Sequence, residues 1–305
     1  MKVLVTGGAG YVGFSVVRAL AHSPSVSLVR VYDNLARGSH ALFVNGKHGP
    51  ATVEFRRGDI LDGYTLDEVL GGIDVVVHLA AHATTPQSDR DHHVFDQVNN
   101  WGTSQLTRSI EAHESVKTLV YLSSFAVYGD SDEPFDETSP VAPNSAYGIS
   151  KLAGEGHISR LADSHRALTL RAANVFGFNP AIRFDAAVNA MALAAWTERR
   201  IEIHGDGSQL RPFIDVDTLA AMVVRSIESD IDSGTYNVAA HNASVNDIAD
   251  VLATVVPDLE RQTLHRDARM RRVTMALPTL LGEKLGLSAP AFEASLSQLV
   301  ATLAG

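Results

Sequence analysis

Tyr147 and Lys151 stand four residues apart in SAYGISKLAGE (145–155), a stretch that reads as the opening of a helix. Residues at i and i+4 share one helix face, roughly 6 Å apart. A free phenol has a pKa of ~10 and is a poor base at neutral pH. Bringing it near 7 needs a shift of about three units, or about 4 kcal/mol. A unit charge at roughly 6 Å contributes ~3 kcal/mol at an effective dielectric of about 20. The spacing therefore predicts that Lys151 supplies most of the shift and makes Tyr147 a general base. Upstream, the apolar run in VYLSSFAVYG ends in Ser123 and Ser124. A hydroxyl from Ser124, with Ser123 as the alternative, would hold the reacting oxygen and steady the charge that develops on it. Tyr-x-x-x-Lys alone also occurs on solvated helix faces, so its meaning depends on the surrounding elements.

The first such element is LVTGGAGYVGFSVVRAL, in which an apolar strand runs into a glycine cluster and then a helical pattern. Gly8, Gly10 and Gly13 satisfy G-x-G-x-x-G, and Gly7, Gly10 and Gly13 satisfy G-x-x-G-x-x-G. Such glycines permit a tight turn, and the helix N-terminus offers free N–H groups to a pyrophosphate. Asp33 ends the second predicted strand, where a carboxylate would accept hydrogen bonds from an adenosine ribose. Its charge would repel a 2′-phosphate, which favours NAD, while Arg30 and Arg37 keep NADP open. An oxidised nicotinamide is itself cationic and would complete the shift asked of Tyr147.

The elements that must carry these groups read as alternating strands and helices. Strands are predicted at 2–6, 28–33, 52–59, 74–81, 118–124 and 167–177. Several are near-continuous apolar runs, as expected of strands buried on both faces of a parallel sheet. Amphipathic stretches between them predict an α/β fold with a doubly wound parallel sheet. The two serines then fall at the carboxyl end of a strand, where ligands bind in open α/β sheets. The regularity weakens after residue 177. We assign 1–177 to a dinucleotide-binding domain, with 209–240 returning to it, and 178–305 mostly to a smaller substrate-binding domain.

The bulk composition bounds the function classes. The chain has 305 residues, 45% hydrophobic and 20% charged, a formal charge of −10 and no cysteine. Disulfides, thiolate catalysis and sulfur-held zinc are excluded. Acidic bulk charge argues against a nucleic-acid partner. No apolar run approaches the roughly 18 residues of a membrane span, and the N-terminal run is too short for a signal peptide, so a cytoplasmic location is expected. In DRDHHVFD (89–96), adjacent histidines point to different helix faces, and no metal site is expected.

With the glycine loop, the serines and the Tyr–Lys pair in this order, the sequence resembles the extended short-chain dehydrogenase/reductases. The nearest pattern is that of the NAD-dependent nucleotide-sugar epimerases and dehydratases, of the UDP-glucose 4-epimerase type, and it covers nearly the whole chain. The resemblance implies a Rossmann domain with NAD held by Gly7, Gly10, Tyr11, Val12 and Gly13 of TGGAGYVG. It implies further contacts from Asp33 and Asn34 of YDNLARG, Asp59 and Ile60 of GDILD, and Leu79, Ala80 and Ala81 of HLAA. Asn99 of VNNWGT would be a cofactor-side asparagine. Ser124, Tyr147 and Lys151 would be the catalytic set, with Tyr147 and Lys151 also touching the cofactor. Ser124, Tyr147, Asn174 of RAANVFG and Arg211 of GDGSQLRPFIDVDTLA would meet a nucleotide-sugar substrate. A homodimer built from helices around 93–113 and 147–162 is implied too.

The departures from the family pattern bear on the reaction. Phe125 and Ala126 stand where dehydratases of the group carry acidic residues, which disfavours 4,6-dehydration. Pro212 replaces the usual Asp after the substrate arginine. RDARMRRVTMALPTL matches the C-terminal arginine segment only loosely and leaves open which of Arg266, Arg269, Arg271 and Arg272 meets a substrate, if any. The expectation is NAD-dependent 4-epimerisation of a nucleotide-diphosphate sugar, a UDP-hexose first. The alternatives are a dehydratase or 4-ketosugar reductase on the same scaffold, and a non-catalytic NAD(P)-binding protein.

Overall fold

Val3 and Val5 bury on one face of the first strand and Leu4 on the other, each fully shielded from solvent. That two-sided burial recurs along the central strands and requires helices on both faces of the sheet. The computed structural model describes residues 1–44, 46–83, 92–264 and 272–304. Its main sheet holds seven parallel strands: β1 (Lys2–Thr6), β2 (Leu28–Asp33), β3 (Thr52–Arg57), β4 (Val75–His78), β5 (Thr118–Ser124), β6 (Arg166–Ala172) and β10 (Gly234–Val238). Their order is β10-β6-β5-β4-β1-β2-β3. The chain starts in the middle, winds outward one way through β2 and β3, and returns through β4 to β10. The fold is the doubly wound α/β sheet that the alternation predicted.

One face is covered by α1 (Tyr11–His22) and α8 (Val216–Glu228), which share a core with Val3, Val5 and Val31. The other is covered by α3 (Gly63–Leu70), α5 (Gly102–Glu111) and α6 (Ala146–Ser159), which pack on Leu4, Val76, Leu119 and Tyr121. Local signals set where these helices begin. Asp62 accepts from the N–H groups of Tyr64 and Thr65 ahead of α3. Ser145 accepts from Gly148 N–H ahead of α6, and Asp215 accepts from Thr218 N–H ahead of α8. Each satisfies a donor that the first helical turn leaves open. A short α4 (His92–Phe95) runs through a π-helical stretch (Asp96–Trp101) into α5.

The predicted strand 167–177 is two strands. β5 ends at Ser124, paired with Ala172, so the chain beyond Ala172 has no neighbour there. Ala173 N–H turns to Val238 O, and β7 (Asn174–Phe176) leaves to pair with β9 (Leu210–Asp215). β11 (His241–Ser244) completes that three-stranded sheet. β9 thus lies outside the main sheet, while α8 and β10, which follow it, belong to the main layers. A separate apolar cluster joins α7 (Ala187–Glu198), α9 (Val245–Val255) and α11 (Phe292–Leu303) around Phe176, Phe213 and Phe292. β8 (Arg200–His204) pairs with β12 (Glu260–Leu264) beside it. The remaining helices are α2 (Ala41–Val44) and α10 (Leu280–Leu285). Among the described residues, no helix is long and apolar enough to cross a membrane.

Candidate active site

At the carboxyl end of the main sheet lies a cleft of about 840 Å3. That is within the ordinary range for small-molecule sites. Its floor is the glycine loop. Gly7 has φ +72°, a conformation glycine adopts without steric cost, and its N–H donates to Tyr32 O at 2.8 Å. A Cβ on Gly7 would sit 2.6 Å from Ala80 N, and one on Gly13 would sit 2.2 Å from Gly7 O. The glycines therefore let α1 seat directly against the loop and let β4's end close over it. Asp33 fixes the loop from below, its carboxylate accepting from Ala9 N–H at 3.1 Å and Leu35 N–H at 2.7 Å. Asn34 donates to Asp59 at 2.9 Å, which ties the ends of β2 and β3 together.

Gly7, Gly10, Tyr11, Val12, Gly13, Asp33, Asn34, Ile60, Leu79, Ala80 and Ala81 all line the cleft. Asp59 does not; it stands behind Asn34 and accepts from Leu61 N–H. Asn99 does not either. It is 1% exposed, accepts from His82 N–H and donates to His82 O and Ser150 Oγ, so it braces the loop after β4 onto α6. Tyr11 meets the cleft, but its phenol donates to Gly177 O at 2.7 Å, tying α1 to the end of β7. These polar groups in a glycine-built cradle fit a dinucleotide.

The other end of the cleft is lined by Ser123, Ser124, Phe125, Ala126, Tyr147, Lys151 and Asn174. Ser124 caps a 3-10 turn, its Oγ accepting from Ala126 N–H, and it hydrogen-bonds with the Tyr147 phenol. Ser123 donates to Glu155 at 2.5 Å. Of the two serines, Ser124 is the one that bears on the Tyr147 phenol, while Ser123 is engaged by Glu155. Asn174 donates to Pro212 O at 3.0 Å, and Arg211, which donates to Leu210 O, does not line the cleft. Arg266, Arg269 and Arg271 lie outside the described residues, and Arg272 is exposed. Asp89 and Asp91 also lie outside them, and His92 and His93 are exposed on α4.

The electrostatics correct one expectation. Burial raises the Tyr147 phenol above its ordinary pKa, and what opposes it is the Ser124 hydrogen bond and the charge of Arg183, not Lys151. The lysine's Nζ lies 4.2 Å from the centre of the Tyr121 ring. Burial lowers that ammonium to about 7, against the pull of Glu155. Helix spacing places Tyr147 and Lys151 on one face, but the packing beneath Lys151 gives its charge other partners.

Arg183 is a residue that sequence reasoning missed. It lines the cleft and is held by Asp185 through two bonds of 2.9 and 2.8 Å. Asp185 also meets Arg37 at 3.7 Å, from the loop after β2. Among the described lining residues, Asp33 and Asp185 are the carboxylates, and both are engaged.

The model of the NAD dependent epimerase/dehydratase family matches residues 3–239. A dTDP-glucose 4,6-dehydratase of Neisseria meningitidis serogroup B is 28% identical over 89% of this chain and 79% of its own. A UDP-glucose 4-epimerase of Halalkalibacterium halodurans is 31% identical over 84% of this chain and 80% of its own. Among solved structures, MoeE5 in complex with UDP-glucose and NAD superposes with a TM-score of 0.85 at 26% identity, covering 100% of this chain and 99% of that one.

Proposed function

The chain belongs to the NAD dependent epimerase/dehydratase family, and from that premise we propose that it is a nucleotide-sugar 4-epimerase acting on a UDP-hexose. One observation carries the choice within the family. The reacting end of the cleft presents Ser124, Tyr147 and Lys151 flanked by Phe125 and Ala126, and the cleft's described carboxylates are both tied to N–H groups or guanidinium. Eliminating water from the sugar needs an acid and a base besides the tyrosine, and neither carboxylate is available for it. Epimerisation at C4 needs one group that takes a proton and returns it. The relatives named above include a UDP-glucose 4-epimerase, which supports the reading.

NAD would be held by the glycine loop, by Asp33 and Asn34, and by the Leu79–Ala81 segment, in the 1–177 region with 209–240. When bound it supplies the acceptor and then the donor of the C4 hydride and brings a positive charge. Tyr147 takes the proton of the sugar's 4-hydroxyl and later returns it. Ser124 hydrogen-bonds that oxygen while its own Oγ is fixed by Ala126 N–H. Arg183 opposes the penalty that burial puts on the phenolate. Lys151 holds the cofactor side of Tyr147, and Asn174 meets the sugar. The 178–305 region would bind the nucleotide-sugar. Trp101 and Ile149, 59% and 58% exposed on the π stretch and α6, are the apolar surface that a homodimer would cover. A cytoplasmic location completes the reading.

The test is proton NMR of the purified protein incubated with UDP- and dTDP-hexoses and no added cofactor. New anomeric signals at the equilibrium ratio of two C4 epimers are expected. A deoxy-keto product would make the protein a dehydratase and overturn the choice. Stoichiometric use of added reduced cofactor would make it a reductase.

A further inference from the structure

A charged network lies directly under the reacting end of the cleft and is not used by the chemistry above. Glu155, one turn after Lys151 on α6, accepts from Ser123 Oγ at 2.5 Å and from Arg171 on β6 at 3.0 and 2.7 Å. Both members of this ion pair are buried. Ser123 and Arg171 are neighbours in the sheet register, and the next strand places Asn237 beside Arg171. Arg171 also lies 4.8 Å over the Tyr128 ring, whose phenol donates to Asn237 at 2.7 Å. One carboxylate thus ties the helix that carries Tyr147 and Lys151 to the strand that carries Ser124.

Resting on the roles given above to Tyr147 and Lys151, we propose that Glu155 is a positioning residue of this site. Its bonds to Ser123 and Arg171 hold α6 in register with β5 and β6, and its charge favours the ammonium form of Lys151 against burial. The other groups facing Lys151 give it no anion. Tyr121 on β5 offers a ring face, and His78 on β4 stacks on that ring at 5.4 Å. Tyr147 is a neutral phenol one turn back, and Arg183 beyond it and Arg171 beyond Glu155 are cations. Glu155 is the acidic group whose charge bears on Lys151, opposing what burial does to it.

The experiment is a pH titration of the five lysines, carbon-13 labelled at Cε, by NMR, with Lys151→Met assigning the signal. Glu155→Gln removes the charge but leaves Arg171 buried and alone, which endangers folding. Glu155→Gln with Arg171→Leu removes the pair together and keeps the test usable. In both variants the Lys151 midpoint is expected to fall by about one pH unit. The descending alkaline limb of kcat should move by the same amount, whereas a purely structural loss lowers kcat at every pH without moving the limb. A Lys151 midpoint that stays at its wild-type position overturns the proposal. The lysine titration needs no substrate, so a protein inactive on every sugar would overturn the assigned reaction while leaving this result to be read separately.

Discussion

Gly13→Ala adds one carbon at the point where α1 meets the glycine loop. That Cβ would sit 2.2 Å from Gly7 O, 2.6 Å from Gly8 Cα and 2.8 Å from Gly8 C, all backbone atoms. Ordinary contact begins near 3.4 Å, so the closest pair falls short by 1.2 Å (3.4 − 2.2). No side chain can rotate away to relieve it. Either the loop opens or α1 shifts, and α1 is fixed by Phe14, Val17 and Leu20 in the core and by Phe14 N–H on Gly10 O. Overpacking of this kind costs about 1–3 kcal/mol. Spent on the loop proposed to receive the pyrophosphate, it should weaken NAD by roughly 5- to 150-fold, at about 1.4 kcal/mol per tenfold. Gly156→Ala is the matched control. Gly156 is also helical, but a Cβ there meets nothing within 4 Å. Alanine should stabilise α6 by about 0.5–1 kcal/mol. Calorimetric titration with NAD and thermal melting read both variants. If Gly13→Ala binds NAD within about twofold of wild type and melts unchanged, the close seating of α1 on the loop is not what makes the cradle.

Tyr147→Phe removes the proton carrier and keeps the ring; turnover should drop at least about 100-fold with NAD affinity retained, and full turnover would refute its role. Asp33→Ala leaves the Ala9 and Leu35 N–H groups without their acceptor and removes the charge proposed to meet the ribose of NAD. NAD affinity should fall about tenfold or more and the preference over NADP should narrow, both by calorimetry; an unchanged ratio would show that Asp33 does not select the cofactor. His78, buried between Thr6 and Thr103, is held neutral, with its pKa lowered by burial from 6.5 to about 3. The unfolded chain binds that proton and the folded one does not, so this group makes stability fall as pH drops from 6.5 towards 3. Urea midpoints of His78→Gln should depend less on pH across this window, and an equal slope would rule His78 out as the source.

The strands of the main sheet were legible because two-sided burial writes a near-continuous apolar run, as in KVLVT and DVVVHLAA. The glycine loop was legible because its turn and the seating of α1 need missing side chains, and the place of Ser124 at the cleft because it ends a strand. The break at Ala173 was not, since nothing in ALTLRAANVFG marks a stop and only the end of the neighbouring strand decides where pairing stops. Arg183 and Asp185 sit in a segment without periodicity, and a pair two residues apart in a loop reads like any solvated pair. Lys151 shows the limit most clearly. Spacing says that Tyr147, Lys151 and Glu155 share a face of α6, but Tyr121 and Arg171, which meet that face, lie on β5 and β6.

Ser124, Tyr147 and Lys151 ride on β5 and α6, whereas Arg183 and Asp185 hang from the strand that leaves the main sheet at Ala173. The departure separates two inheritable parts. Substitutions, insertions or deletions in the departing segment that keep Arg183 can reshape the cleft wall while β5 and α6 stay in place. Drift in ligand preference therefore requires no reinvention of the chemistry, and a scaffold divided this way can diversify by editing one loop at a time.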